Sequence, residues 1–323
     1  MKKTFWVIYD NEQYARNEWF AGQLVTILKR SFDARLIIVE KLTCGILGGE
    51  HAFFYEGQRI CAPDAVVMRS IYPFLSELLE SLGVRVFNPA GFSRIANDKR
   101  LSYVAAAAAG LKTADTLYLE RRFSANACTG AAIAAHLGAP YVLKTSAGHG
   151  GSGVWLAGGG TERRASECAD GAGEVRAAPK VTNGADCIPA PPEFPECADG
   201  GLAAQRFIEG AEGDVRVYVL GGKIVAAALR TSTGFKSNIS LGGNAAPYGL
   251  SDSERAAVER LYGSLSVKPD FAGFDFIPAG GEFIFNEMED VVGTRMLYSV
   301  YGIDAAGIFC GYMTSIMTDA ACI

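Results

Sequence analysis

Histidine is scarce in this chain: three in 323 residues, at positions 51, 136 and 149. Imidazoles this few and this scattered leave little for a histidine-ligated zinc centre or a Ser-His-Asp nucleophile. The eight cysteines, at 44, 61, 128, 168, 187, 197, 310 and 322, form no Cys-x-x-Cys pair and no Cys/His cluster. Zinc chemistry is therefore not expected, and cysteines dispersed through a long acidic chain read as reduced thiols rather than a disulfide framework. A basic surplus is missing as well. The formal net charge is −5 and the pI is about 5.4, which argues against a general nucleic-acid binder, since phosphate contacts need a cationic face. No apolar run approaches the roughly 20 residues of a membrane-spanning helix. Met1-Lys2-Lys3 leads into too short an apolar stretch, with Asp10 soon after, to read as a secretory signal. The expectation is a cytoplasmic protein with neither a membrane nor a nucleic-acid partner.

What the chain does have is length and apolar content, 323 residues and 49% hydrophobic, enough for two or three modules with real cores. The first ninety residues alternate strand and helix signals: strands at Thr4–Tyr9, Arg35–Glu40, Asp64–Arg69 and Val84–Asn88, helices at Asn17–Arg30 and Pro73–Leu82. That order predicts βαβ units and a small parallel sheet covered by helices, closed by Pro89-Ala90-Gly91. Helical stretches follow at Phe92–Ala109 and Ser124–Leu137, then a strand Tyr141–Thr145, a glycine loop, and a strand Val154–Ala157. Beyond them come a strand Ala203–Glu209, a hairpin Val215–Leu220/Lys223–Arg230, and a helix from Ser251, whose Ser-x-x-Glu is a capping box. A further hairpin and helices after Gly293 and Asp304 complete the chain. Residues 158–201, rich in Gly, Ala, Pro and Glu, lack a sustained apolar period and read as a dispensable insert, with a mobile lid as the alternative.

The most informative stretch is Phe271–Phe276 followed, across Ala279-Gly280-Gly281, by Glu282–Glu289. Alternation with period two makes a β-hairpin, and Asp275, Glu287 and Glu289 then converge on a hard cation that prefers carboxylate oxygens. Acidic residues on a hairpin are more often a solvated face, so the site rests on what accompanies them. Lys144 ends a buried-looking strand just before Gly148-His149-Gly150-Gly151-Ser152-Gly153, where small residues let backbone N–H groups approach phosphoryl oxygens. The loop is not Gly-x-x-x-x-Gly-Lys-Ser/Thr, which excludes the P-loop class. Its partial Gly-x-Gly-x-x-Gly pattern leads into a strand rather than a helix, which removes the dinucleotide reading. Asp214, Arg216, Arg230, Lys236, Ser237 and Asn238 then supply cations and an amide suited to an anionic substrate or a phosphoryl group in transfer. Each alone reads as a surface or strand-end residue; their order carries the information.

That order resembles the ATP-grasp superfamily, in particular its RimK-like carboxylate–amine ligases, over most of the chain. The resemblance implies an α/β (α+β) ATP-grasp fold with an N-terminal pre-ATP-grasp domain at 1–88 and a nucleotide-binding and catalytic region at 89–323. The latter divides into a central subdomain, 89–205, holding the insert, and a C-terminal subdomain, 206–323. It implies ATP with Mg²⁺ or Mn²⁺: Lys99 and Lys144 on the nucleotide, Gly148, Gly150, Gly151, Ser152 and Gly153 as the phosphate flap, and Gln205, Arg206, Phe207 and Ile208 as the adenine-holding hinge. Asp214 becomes a ribose-side or loop-anchoring acid. Lys236, Ser237 and Asn238 become triphosphate contacts, and Asp275, Glu287 and Glu289 metal ligands. The chain departs from the family pattern where Glu289 stands for the usual Asn, Val292-Gly293 for the usual Pro-Gly, Arg206 for an acidic hinge residue, and the 158–201 insert for a shorter helical stretch.

The implied chemistry is formation of an acylphosphate from a carboxylate and ATP, followed by attack of an amine to give an amide, ADP and phosphate. Positioning and charge neutralisation carry such a reaction, with Arg216, Arg230, Lys236 and Asn238 as the expected catalytic group. The expected partners are a small-molecule or peptide carboxylate, with glutamate or another amino acid suggested, and an amine acceptor; a homo-oligomer is allowed. The alternatives are a kinase on the same fold or a non-catalytic ATP-binding module.

Overall fold

A computed structural model describes residues 2–119, 127–147, 153–157, 163–164, 201–211, 213–231 and 244–319. Near the N-terminus, β1 (Thr4–Tyr9), β2 (Asp33–Ile38), β6 (Ala65–Met68) and β7 (Arg85–Phe87) form a parallel sheet in the order β2-β1-β6-β7. Its strands are apolar on both faces, as a parallel sheet covered on both sides requires. Trp6, Ile8, Val66 and Val86 pack under α2 (Pro73–Ser81), while Phe5, Val7, Val67 and Phe87 pack on the opposite face. The helix α1 (Asn11–Leu28) begins earlier than the periodicity predicts, because the Asp10 side chain accepts from Gln13 N (2.6 Å) and starts it, and the chain kinks at Asn17. A meander absent from the strand–helix reading follows β2: β3 (Leu42–Leu47), β4 (Glu50–Tyr55) and β5 (Gln58–Ile60), whose Phe53 packs against Trp6.

The expected single helix at 92–109 is two, α3 (Ala90–Asn97) and α4 (Lys99–Ala108). Asp98 breaks it by taking an extended conformation and accepting from Arg100 N at 2.9 Å, so it caps α4. A second sheet, order β11-β10-β9-β12-β8, contains β8 (Thr116–Leu119), β9 (Tyr141–Thr145), β10 (Val154–Ala157), β11 (Arg163–Arg164) and β12 (Leu202–Arg206), and packs against α5 (Ala127–Leu137). Apart from β11, residues 158–200 lie outside the described residues, so the insert reading meets no structure here.

The third sheet is antiparallel, order β15-β14-β13-β16-β17, from β13 (Asp214–Leu220), β14 (Lys223–Thr231), β15 (Asn244–Pro247), β16 (Phe271–Ala279) and β17 (Glu282–Glu289). One face buries Val215, Val217, Phe274, Phe276, Phe285 and Met288 under α3, α4 and α6 (Asp252–Ser264). The Ser251 capping box of α6 forms as expected. The other face is apolar at one end, where Tyr218, Ala228 and Phe271 meet α7 (Arg295–Tyr301) and α8 (Ala305–Asp319), and charged at the other. The apolar end shares its core with Phe5, Val7 and Phe87 of the parallel sheet. Asn88 joins the two parts further: its amide donates to Phe271 O (2.8 Å) and Asp290 Oδ1 (2.9 Å), and its carbonyl accepts from Asp270 N (2.6 Å) and Phe271 N (2.8 Å). No helix among the described residues is long and apolar enough to cross a membrane.

Candidate active site

The charged end of the third sheet is set by strand register. Arg216 pairs with Asp275, Asp275 with Glu287, Gly273 with Glu289, and Asp214 with Arg230. Directly opposed residues share a face, so two arginines and four carboxylates gather on one patch. A register shift in the β16–β17 ladder leaves Asn286 as an extra residue between the Phe276–Phe285 and Asp275–Glu287 pairs. This bulge reverses the parity of β17. Phe285 and Met288 can therefore both face the core while Glu287 and Glu289 both face the site.

Asp275 is fully buried. It accepts from Arg216 Nε (2.8 Å) and Nη2 (2.6 Å) and from Arg230 Nη2 (2.5 Å). Arg230 also forks onto Asp214, and Arg216 Nη2 reaches Glu289 Oε1 at 2.5 Å. Burial alone would raise the Asp275 carboxyl, but the two guanidiniums outweigh it and hold the group down to about 2. Gly273 makes the packing possible. A Cβ there would lie 2.8 Å from Val292 Cγ2 and 3.5 Å from Arg216 Cδ.

The half-buried Glu287 accepts no hydrogen bond from a described residue, and burial, reinforced by the neighbouring Asp275 charge, pushes its carboxyl up while Lys99 opposes. Ligand oxygens of Asp275, Glu287 and Glu289 lie within 4.8 Å of one another. Three convergent hard oxygens, one on a carboxylate lacking a donor, fit Mg²⁺ or Mn²⁺.

Cations from α4 and from the second sheet face this patch. Lys99, at the start of α4, is nearly buried, and burial lowers its ammonium while Glu287 attracts it. Lys144, on β9, donates to Tyr103 Oη (3.0 Å) and Asn286 Oδ1 (3.0 Å). Gln205 is buried on β12, 3.1 Å from Tyr103 Oη through Oε1, and donates to Thr116 Oγ1 at 2.9 Å. Phe207 and Ile208 follow it, half-buried. Arg206 is exposed and pairs with Asp115 at 2.8 Å, a partner for the departing hinge residue that lies on the solvent side. Gly153 is buried; a Cβ there would meet Thr145 Oγ1 at 2.1 Å. Gly148, Gly150, Gly151, Ser152, Lys236, Ser237 and Asn238 lie outside the described residues.

Thus the structure brings together Lys99, Lys144, Gln205, Asp214, Arg216, Arg230, Asp275, Glu287 and Glu289. Tyr103 and Asn286 were not anticipated. Tyr103 reads as a core aromatic on a helix, which it partly is, edge-on to Phe285. Asn286 is polar within an otherwise alternating strand and adjoins Glu287, the one available signal.

Lysines of α4 and β9 thus face the carboxylates of β16 and β17 where the second and third sheets meet, the arrangement expected from the ATP-grasp resemblance. The comparisons agree. The model of the RimK-like ATP-grasp domain matches residues 195–313. A probable alpha-L-glutamate ligase of Mannheimia succiniciproducens is 29% identical over 228 residues, 70% of this chain and 66% of the relative, so the chain matches just under two thirds of that protein's length. Among solved structures, the D-cycloserine synthetase DcsG superposes with a TM-score of 0.67 at 15% identity, covering 97% of this chain and 99% of the other. The ATP-grasp ligase PsnB, complexed with minimal precursor, Mg and ADP, gives 0.61 at 16% identity, covering 96% and 97%. Residues 195–313 thus match a RimK-like ATP-grasp domain, and over nearly its whole length the chain is similar in fold to solved ATP-grasp ligases.

Proposed function

We propose that this protein is an ADP-forming carboxylate–amine ligase, in which a substrate carboxylate takes the γ-phosphoryl group of ATP and an amine then displaces phosphate to form an amide. The observation that carries the reading is the donor-poor carboxylate Glu287, grouped with Asp275 and Glu289 opposite Lys99 and Lys144. A divalent cation held by Asp275, Glu287 and Glu289 supplies neutralisation of polyphosphate charge. Lys99 and Lys144 bind phosphate oxygens, and the strand end from Gln205 to Ile208 holds the base. Arg216 stands beside the metal cluster, where it can attract the acyl carboxylate or the developing acylphosphate. Arg230, committed to Asp214 and Asp275, positions Asp275. Lys236, Ser237 and Asn238 and the loop 148–153 are assigned to the triphosphate by resemblance, as is the division at residues 88 and 205. The name of the Mannheimia relative supports an acidic amino acid such as glutamate as one substrate, and dependence on ATP supports a cytoplasmic location.

The test is Mg²⁺-dependent ADP release against pooled amino acids, small peptides and polyamines, with mass spectrometry of every pool that consumes ATP. A product equal to two substrates less one water supports the ligase. A stable phosphorylated product would replace it with a kinase, and MgATP binding without turnover in any pool with a regulatory module. In the active pool, Glu287→Gln is expected to lower turnover at least about a hundredfold with the fold retained; unchanged turnover would remove the metal assignment.

A further inference from the structure

The contact between Lys144 and the third sheet is built from groups outside the nucleotide motifs. Lys144 Nζ has three N–H donors; among the described residues one goes to Tyr103 Oη and one to Asn286 Oδ1, each at 3.0 Å. Both acceptors are neutral. Lys144 forms no ion pair among the described residues, although Glu287 is next in sequence to Asn286. The bulge causes this: it sets Asn286 against the lysine and leaves Glu287 for the acidic cluster. The buried phenol also donates to the Asn286 carbonyl, lies 3.1 Å from Gln205 Oε1, and has its ring against Phe285. One hydroxyl on α4 therefore touches the phosphate-side lysine, the base-side strand β12 and the strand that bears Glu287 and Glu289.

We infer that Tyr103 is a positioning residue for nucleotide binding, acting through Lys144. This rests on the ligase reading above only in taking ATP as the ligand. A lysine held by a carboxylate would have its charge neutralised before phosphate arrived, and a lysine held by nothing would lose rotamer freedom on binding. Two neutral oxygens avoid both penalties: the ammonium is placed in advance without a carboxylate partner among the described residues. The same hydroxyl ties the second sheet to β17 beside Glu287, so its effect belongs to binding rather than to the phosphoryl-transfer step.

The test needs no knowledge of the acceptor. The dissociation constant of MgATP is measured by calorimetry for the full chain, Tyr103→Phe, Lys144→Met and the double variant, with the thermal midpoint of each ligand-free protein. Tyr103→Phe keeps the ring and removes the hydroxyl. It is expected to weaken MgATP about tenfold, the scale of one hydrogen bond to a charged group, and to add nothing in the Lys144→Met background. A lowered midpoint with an unchanged dissociation constant, or effects that multiply in the double variant, would make Tyr103 a structural residue only and overturn the inference. Should Tyr103→Phe fail to fold, Asn286→Ala removes the other acceptor of the same ammonium and is judged by the same two criteria. A wild-type chain that binds no MgATP would withdraw the ligase reading and this inference together, whereas normal wild-type binding with an indifferent Tyr103→Phe overturns only the latter.

Discussion

A guanidinium shared between two buried carboxylates cannot be removed without weakening the hold on both. Arg230 is that residue, between Asp214 and Asp275, and all three are nearly or fully buried. Arg230→Met retains much of the aliphatic stem and removes the charge, so Asp214 loses its fork and Asp275 keeps only Arg216. We expect a loss of roughly 3–5 kcal/mol, the range for breaking a buried pair by removing one partner, read from the urea midpoint at constant slope. A loss below about 1 kcal/mol would mean that water reaches the cluster and the burial is ineffective. At this scale the sequence shows charge well and contact poorly. Asp275, Glu287 and Lys144 are legible because ionisable groups in apolar strands violate the binary pattern. The partners that set their behaviour are distant in sequence, 41 and 142 residues from Lys144 and 59 and 45 from Asp275, and Tyr103 is indistinguishable by type and spacing from a core aromatic.

The element that decides the site is the bulge in β17. Strict alternation from Glu282 to Glu289 would place Phe283, Phe285, Glu287 and Glu289 on one face, an arrangement that either buries two acids in the α3/α4/α6 core or exposes two phenylalanines. One extra residue resolves the conflict, which shows why the hairpin can be read from sequence but its register cannot: period-two patterning is blind to an insertion that flips parity. The same limit explains the missing meander, whose strands β3 and β5 are short or largely exposed and so lack a buried stripe. Deleting Asn286 would let Phe285 and Glu287 follow directly and the ladder close without the shift, keeping core and acidic faces as they are. The deletion variant is therefore expected to keep its far-ultraviolet dichroism and a cooperative melt, yet to bind MgATP more weakly, because Lys144 loses its amide acceptor. Loss of cooperative folding would show instead that the twist added by the bulge is needed for the sheet itself.

Across the whole molecule, the parallel sheet and the third sheet share one core and are joined by buried polar groups at the entry to β16. No local pattern announces that Phe5 and Phe309 lie in the same cluster, although each is visibly apolar in its own element. Asp270 sits at this junction: Oδ1 accepts from Arg85 Nη2 (2.5 Å) and Tyr312 Oη (2.9 Å), while Oδ2 is buried without a donor. Burial raises its carboxyl above the ordinary value of 3.8, with Arg85 opposing. A carboxyl that holds its proton more tightly when folded contributes stability that is full below the unfolded value and fades as pH rises through the folded one. Asp270→Asn removes this titration and leaves a pH-independent offset from the amide. The thermal midpoint of the wild type relative to the variant is thus expected to be highest near pH 4 or just below and to decline as pH rises, whatever other groups titrate in both proteins. A difference that stays flat would mean that Arg85 and Tyr312 fully compensate the buried charge, and one that grows with pH would mean that the ion pair to Arg85 outweighs burial and stabilises the junction.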